Sequence, residues 1–288
     1  MTQPWTIGVL GLGLFSCTPA LPVQLHLTHG PATAAQIQSD TSVWRQRLEL
    51  AGAKQIKIAA RGDDFVVDFR TNDPIPWDDL LTSSGDFSSG LGRNWSDLPG
   101  FGHALRTWSD TSDESGSRIE TPPDTSRAFF FGIVPPQTCA RLDSFLAADP
   151  GTKALLRGKG KPILSRSPAN WASMDSGYFL YVVTSEAREL RKSDLREVKL
   201  LQPLRGKYAS VEIDLTPEGG EVFKRLTTAR VGQSMPILIG GRVALCPRIM
   251  DPITGSHLSL GESLPDEAHR LVALLKSPVL QARWIAKP

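Results

Sequence analysis

Two hydrophobic periods alternate along this chain. A period of two is clearest where Val211, Ile213 and Leu215 are separated by Glu212 and Asp214, and where Val23, Leu25 and Leu27 are separated by Gln24 and His26. Both stretches predict strands with one buried face. A helical period follows each of them. Ile37, Val43 or Trp44, Leu48 and Ala51 predict a helix within Pro31 to Ala51, stopped by Gly52. Val222, Phe223 and Leu226 predict a second, opened by Thr216 and Pro217 and closed by Gly232. A hairpin comes next in both places. Gln55 to Ala60 and Phe65 to Phe69 flank Arg61-Gly62-Asp63-Asp64, while Met235 to Ile239 and Val243 to Cys246 flank Gly240-Gly241 and stop at Pro247.

The remaining segments read less evenly. Pro74 to Ser84 predicts a short helix with Trp77, Leu80 and Leu81 turned inward. Phe87 to Leu91 is a poor strand, since Ser88, Ser89 and Gly90 weaken it. Asn94 to Arg127 is rich in Ser, Asp, Thr, Gly and Pro and reads as a long loop, pinned by Trp95, Phe101 and Trp108, with Asp110 to Ser117 exposed and mobile. The pattern then resumes. It predicts a strand at Phe129 to Val134, a helix at Pro136 to Ala147, a turn around Lys153 to Leu156, and strands near Ile163 and at Tyr178 to Val183. A last helix runs from Ser263 or Leu264 to Lys276 with Ala268, Leu271, Val272 and Leu275 on one face, and Val279 to Ile285 supplies a closing strand beside the N-terminal elements. Strands in hairpins mixed with helices define an α+β chain.

Composition narrows the function. The 288 residues are 40% hydrophobic, enough for a sizeable core, and the net charge of +2 with dispersed Lys and Arg argues against a nucleic-acid partner. No apolar run reaches the roughly 18 residues that cross a bilayer. Arg45 and Arg47 read as the solvated face of a helix, and Arg157 to Lys161 (RGKGK) as a solvated basic turn.

Residues 1–22 read as a lipoprotein-like signal segment and linker. The apolar run Ile7 to Phe15 precedes Ser16-Cys17, and a Pro-containing segment follows, so Cys17 is the expected lipidation site. The segment before Ile7 has no Lys or Arg, and a cleaved soluble export signal or a misplaced start codon are the alternatives. Gly11 to Ser16 imitates a dinucleotide-binding loop, but Ser16 replaces the third glycine and Pro19 and Pro22 break the helix it requires. Cys139 and Cys246 could pair if Cys17 carries lipid; the apolar patterns around them read instead as ordinary buried cysteines.

Catalysis needs convergent groups, and the usual sets do not assemble. His26, His29, His103, His257 and His269 have no metal-ligand spacing, and neither a nucleophile elbow nor a phosphate-binding loop is present. No catalytic, cofactor-binding or metal residue is assigned, and a non-enzymatic role is expected.

The ordered set Gly219 or Gly220, Phe223, Thr227, Gly232, Gly241, Val243, Pro247, Ile253, Gly261, Glu267 and Ala268 resembles the head of the first periplasmic domain of SecD, the accessory subunit of the bacterial Sec translocon. Gly240 stands where that family has Asp, and Thr254-Gly255-Ser256 is poorer in glycine than its counterpart. Arg45, Arg47, Leu48, Gly52, Ala53, Ile58, Gly62 and Asp63 are similar to the base of the same domain, and Leu142 to Leu156 and Gly177 to Tyr181 to further passages of the head. The resemblance implies a ferredoxin-like base at 23–93, completed by 278–287, a flexible loop at 94–127 and an inserted α+β head at 128–277. It also implies a place on the periplasmic side of the cell envelope and a part in protein export, and the lipid expected on Cys17 would hold the chain there. Partners would be unfolded or translocating polypeptide or a Sec-type membrane complex. The alternative is an envelope lipoprotein that binds one folded partner and has no export role.

Overall fold

The computed structural model describes residues 20–62, 64–72, 75–111, 118–122, 128–166, 177–184, 189–201 and 208–287. The chain opens with strand β1 (Leu21–His29), helix α1 (Ala34–Leu50) and the hairpin β2 (Lys54–Arg61) and β3 (Asp64–Thr71). Thr33 caps α1 by accepting from the Gln36 N–H, while the Gln36 side chain accepts from the Thr33 N–H. Short helix α2 (Trp77–Thr82) and strands β4 (Phe87–Ser89) and β5 (Leu91–Gly92) follow.

A middle stretch then holds α3 (Pro99–Thr111), β6 (Gly132–Val134), α4 (Cys139–Ala148), α5 (Pro150–Leu156), β7 (Lys161–Leu164) and β8 (Tyr178–Thr184). The C-terminal part consists of β9 (Leu195–Leu201), β10 (Ala209–Leu215), α6 (Pro217–Ala229), β11 (Ile237–Ile239), β12 (Arg242–Leu245), β13 (His257–Ser263), α7 (Pro265–Lys276) and β14 (Trp284–Lys287).

Among the described residues four small sheets result. The first has the order β14-β1-β3-β2, with every pair antiparallel and α1 crossing from β1 to β2 over the intervening β3. Its register puts Leu25 opposite Val67 and Leu27 opposite Phe65, so the alternating apolar positions meet on one face. The others run β13-β10-β9, β12-β11-β4, and β5-β8-β6 with β7 on the other side of β8. The C-terminal strand reaches the first sheet because Asp40, fully buried on α1, accepts from the N–H groups of Gln281 (2.8 Å) and Ala282 (2.9 Å) and from Trp284 Nε1 (2.8 Å).

Helix α7 joins the parts. It touches α1 and α2 on one side and β9 and β10 on the other, and Ala268 and Leu271 to Leu275 are all buried. A helix enclosed on several sides needs apolar residues around much of its circumference, and this one has them. One hydrophobic core therefore runs from Trp44, Val67 and Trp284 through α7 to Val211, Ile213 and Ile237. A second, separate core gathers Trp95, Phe101, Leu105, Phe131, Leu142, Leu180 and Val182.

That second core corrects the reading of Asn94 to Arg127 as a loop. Pro99–Thr111 is helical, with Phe101, Leu105 and Ser109 buried at four-residue spacing. Gly100 and Gly102 lower its intrinsic propensity and masked it. The 112–117 part of the predicted mobile stretch lies outside the described residues. Other differences are local. Phe87–Ser89 is a strand after all, paired with β11, and β6 starts only at Gly132. Lys153 to Leu156 belongs to a helix, and the closing strand begins at Trp284. The apolar residues of β9, Leu195, Val198, Leu200 and Leu201, break the period of two, and β13 offers only Leu258 and Leu260, which hid them.

Candidate functional site

Two places concentrate unusual chemistry. The first is an open apolar groove of about 450 Å³ between α6, β11, β13 and the run from Leu245 to Ile253. Buried Phe223, Met235, Ile237 and Leu258 line its inner part, and Met250 and Ile253 stand at its lip, 69% and 38% exposed. The lip is held in place by the backbone. Gly232 N–H donates to Ile249 O (2.8 Å), Ile249 N–H to Gln233 O (2.9 Å) and Met235 N–H to Pro247 O (2.9 Å), and Ile253 N–H donates to Thr227 Oγ1 (2.9 Å).

Arg248, Asp251 and His257 give the groove a polar rim. The His257 ring lies between two carboxylates of β10, with Nδ1 2.9 Å from Asp214 and Nε2 2.9 Å from Glu212. Hydrogen bonds from His257 and Lys199 hold the Asp214 carboxyl down to about 2. A concave apolar surface with a few polar groups at its edge takes up apolar side chains, and thioethers at Met235 and Met250 let it adapt to different shapes.

The second place is a buried charged junction where α2, α7, β11 and the end of β7 converge. Asp79 Oδ2 accepts from Arg166 Nη1 (2.5 Å) and Arg270 Nη1 (2.8 Å), and Arg270 also pairs with Glu267. Arg166, with its side chain fully buried, donates in addition to Ile239 O (2.7 Å) and the Ser83 hydroxyl (3.3 Å). Burial pushes the Asp79 carboxyl up, but Arg166 and Arg270, with Arg242 and the Ser83 hydroxyl, outweigh it and hold the group below the usual carboxylate range.

Beside this cluster Arg47 donates to Ser277 Oγ (2.9 Å), Leu80 O (2.9 Å), Ser83 O (2.6 Å) and Ser84 O (2.8 Å). Lys192 Nζ donates to Leu274 O (2.7 Å) and to the carbonyls of Gly85 and Ser277. Burial, reinforced by Arg47, pushes its ammonium down to about 8.

Arg47 is a correction. Its side chain is completely buried, whereas Arg45 is exposed as expected. The signal was present in the spacing, since Asp40, Val43, Trp44, Arg47 and Leu48 form one helical stripe. Charge type hid it, because an arginine is more often solvated.

Cys17 lies outside the described residues. Cys139 and Cys246 are free, half-buried thiols, and burial pushes Cys246 up to about 12. Among the described residues no His, Cys, Asp and Glu group is arranged to hold a metal ion, and no helix is long and apolar enough to cross a membrane.

Fold and groove together define an α+β protein of several small sheets that carries a concave apolar surface for side chains. Comparison with known proteins adds the relationship. Residues 172–282 match the family model for the SecDF P1 head subdomain, and the chain is SecD periplasmic-domain-like over that region. The SecD translocase subunit of Treponema pallidum is 30% identical over 92 residues, which is 32% of this chain and 15% of that protein. That of Dictyoglomus turgidum is 35% identical over 71 residues, 24% of this chain and 18% of its own length. The matches thus span less than a quarter of these relatives. A crystal structure of SecDF in a super-membrane-facing form aligns over 92% of this chain and 29% of its own at 15% identity and a TM-score of 0.49. A structure of SecDF described as a membrane component that enhances protein export aligns over 92% and 98%, at 15% identity and a TM-score of 0.46. The groove lies wholly within the matched residues.

Proposed function

We propose that this chain is a non-enzymatic protein of the periplasmic side of the cell envelope, and that it assists protein export by holding unfolded or translocating polypeptide. The observation that carries this reading is the open apolar groove inside the region that matches the SecDF P1 head. An extended client places side chains of varied shape against such a lining without a fixed sequence. The adjoining edges of small sheets offer backbone hydrogen bonds of the kind used in strand addition.

In this reading residues 23–93 and 278–287 form a ferredoxin-like base, supported by the strand order β14-β1-β3-β2 with its split β-α-β crossing. The head, 128–277, takes in the preceding segment as well, because α3 packs into the same core as β6 and β8. Lipid on Cys17 would tether the whole to a membrane, and a Sec-type complex would be its neighbour. Incorporation of a labelled fatty acid that disappears in Cys17→Ser checks the anchor.

The groove is tested by titrating the purified chain with fluorescent unfolded polypeptides and measuring anisotropy. Broad micromolar binding, with different unfolded chains competing for one site and Ile253→Asp weakening all of them, supports the reading. Indifference to every unfolded chain would sink it and point to a single folded envelope partner.

A further inference from the structure

The basic turn Arg157-Gly158-Lys159-Gly160-Lys161 has no part in the groove or the junction. It links α5 to β7, and Arg157, Gly158, Lys159 and Lys161 are all exposed. The turn has a defined shape. Lys159 N–H donates to Leu156 O (2.9 Å) and Arg157 N–H to Ala154 O (3.4 Å). Lys159 O accepts from Thr184 Oγ1 (2.8 Å) and from Arg93 Nε (3.3 Å), which brings a fourth cation beneath it. Gly160 (φ +134°) runs so close to β8 that a Cβ there would sit 2.8 Å from Val183 O, whereas a Cβ on Gly158 (φ +69°) would meet nothing within 4 Å. The turn is pinned at its base and open at its tip.

Its charges are uncompensated. Among the described residues no ion pair involves Arg157, Lys159 or Lys161, while Arg118, Lys199 and Lys287 each have a carboxylate partner. A small anion would need convergent donors. The backbone N–H groups of Arg157 and Lys159 are already used inside the turn and are not available to such an anion. A convex, fixed cluster of cations suits a broad negative surface better than a single anion.

We propose that this turn docks on a layer of anionic phospholipid headgroups and so fixes which side of the molecule faces a membrane. The attraction is electrostatic, weak for each cation and screened by salt.

The test uses the whole chain carrying Cys17→Ser, so that no acyl group contributes, and measures co-sedimentation with two kinds of vesicle. Phosphatidylcholine mixed with phosphatidylglycerol should retain the chain, and phosphatidylcholine alone should not. Combining Arg157→Glu and Lys159→Glu should lower retention by about tenfold or more, and high salt should abolish it. Lys54→Glu with Lys57→Glu, on exposed positions of β2, changes the net charge equally and should leave retention nearly intact. Three results would overturn the proposal. They are equal binding to both vesicles, equal loss in both double variants, or stronger competition by a soluble acidic polypeptide than by the vesicles. Unchanged circular dichroism and melting of the variants exclude misfolding as the cause of any loss.

Discussion

At the junction, buried charges are enclosed and most of their polar atoms are paired, Arg270 Nε and Glu267 Oε1 being the exceptions. Asp79 holds Arg166 and Arg270, and the three Arg47 nitrogens all reach oxygen. In the groove the reverse holds, since Met250 and Ile253 leave apolar carbon facing solvent beside a lining already buried. The two places share β11, which lines the groove through Ile237 and reaches the junction through the Ile239 carbonyl. The difference separates two uses of free energy. Polar groups removed from water must find partners and so commit the chain to one geometry, whereas exposed apolar surface is left uncommitted and available to a ligand. Damage at the junction should therefore cost stability, and damage in the groove should cost binding alone.

Asp79→Ala gives the largest effect, because it leaves two buried guanidinium groups without their shared carboxylate. A loss of about 3–5 kcal/mol is expected in urea unfolding. A loss below about 1 kcal/mol would mean that the junction is as solvated as a surface pair. Gly85→Ala comes next. Gly85 has φ +76°, and an added Cβ would overlap the Arg47 guanidinium, so about 1–3 kcal/mol should be lost. An unchanged Tm would show that the turn and Arg47 shift without cost.

Acid sharpens the same contrast. The folded Asp79 carboxyl titrates below its unfolded value, so its share of the stability is complete above about pH 4 and disappears as pH falls through the folded value. Asp79→Asn should flatten the fall in unfolding free energy between about pH 5 and pH 2 relative to the parent chain. Parallel pH profiles would assign that fall to other carboxylates. Met250→Asp should have the smallest effect on stability, within about 0.5 kcal/mol, because the side chain is largely exposed. It should nevertheless weaken binding of unfolded polypeptide about tenfold or more, the scale of losing one buried apolar contact. Equal losses of stability and binding would erase the distinction between the two places.

Much of the first core was legible as periodicity. The strands at Leu21–His29 and Ala209–Leu215 and the helices at Ala34–Leu50, Pro217–Ala229 and Pro265–Lys276 announce themselves through apolar residues repeating every two or three to four positions. Burial of one face imposes that repeat wherever an element lies against a core. The head resemblance rests on the same residues together with turn glycines whose places local geometry dictates. Helix α3 escaped because its glycines argue locally against the conformation that Phe101, Leu105 and the second core impose. Strand β9 escaped because its apolar residues, Leu195, Val198, Leu200 and Leu201, do not keep the period of two.

The groove and the junction were not legible at all. Phe223 and Leu258, or Asp79, Arg166 and Arg270, are ordinary residues well apart in sequence, and nothing in the local pattern says that they meet. Local periods report which face of an element is buried. Which faces meet, and whether the space between them closes on a carboxylate or stays open to a ligand, depends on packing between elements that only the tertiary structure decides.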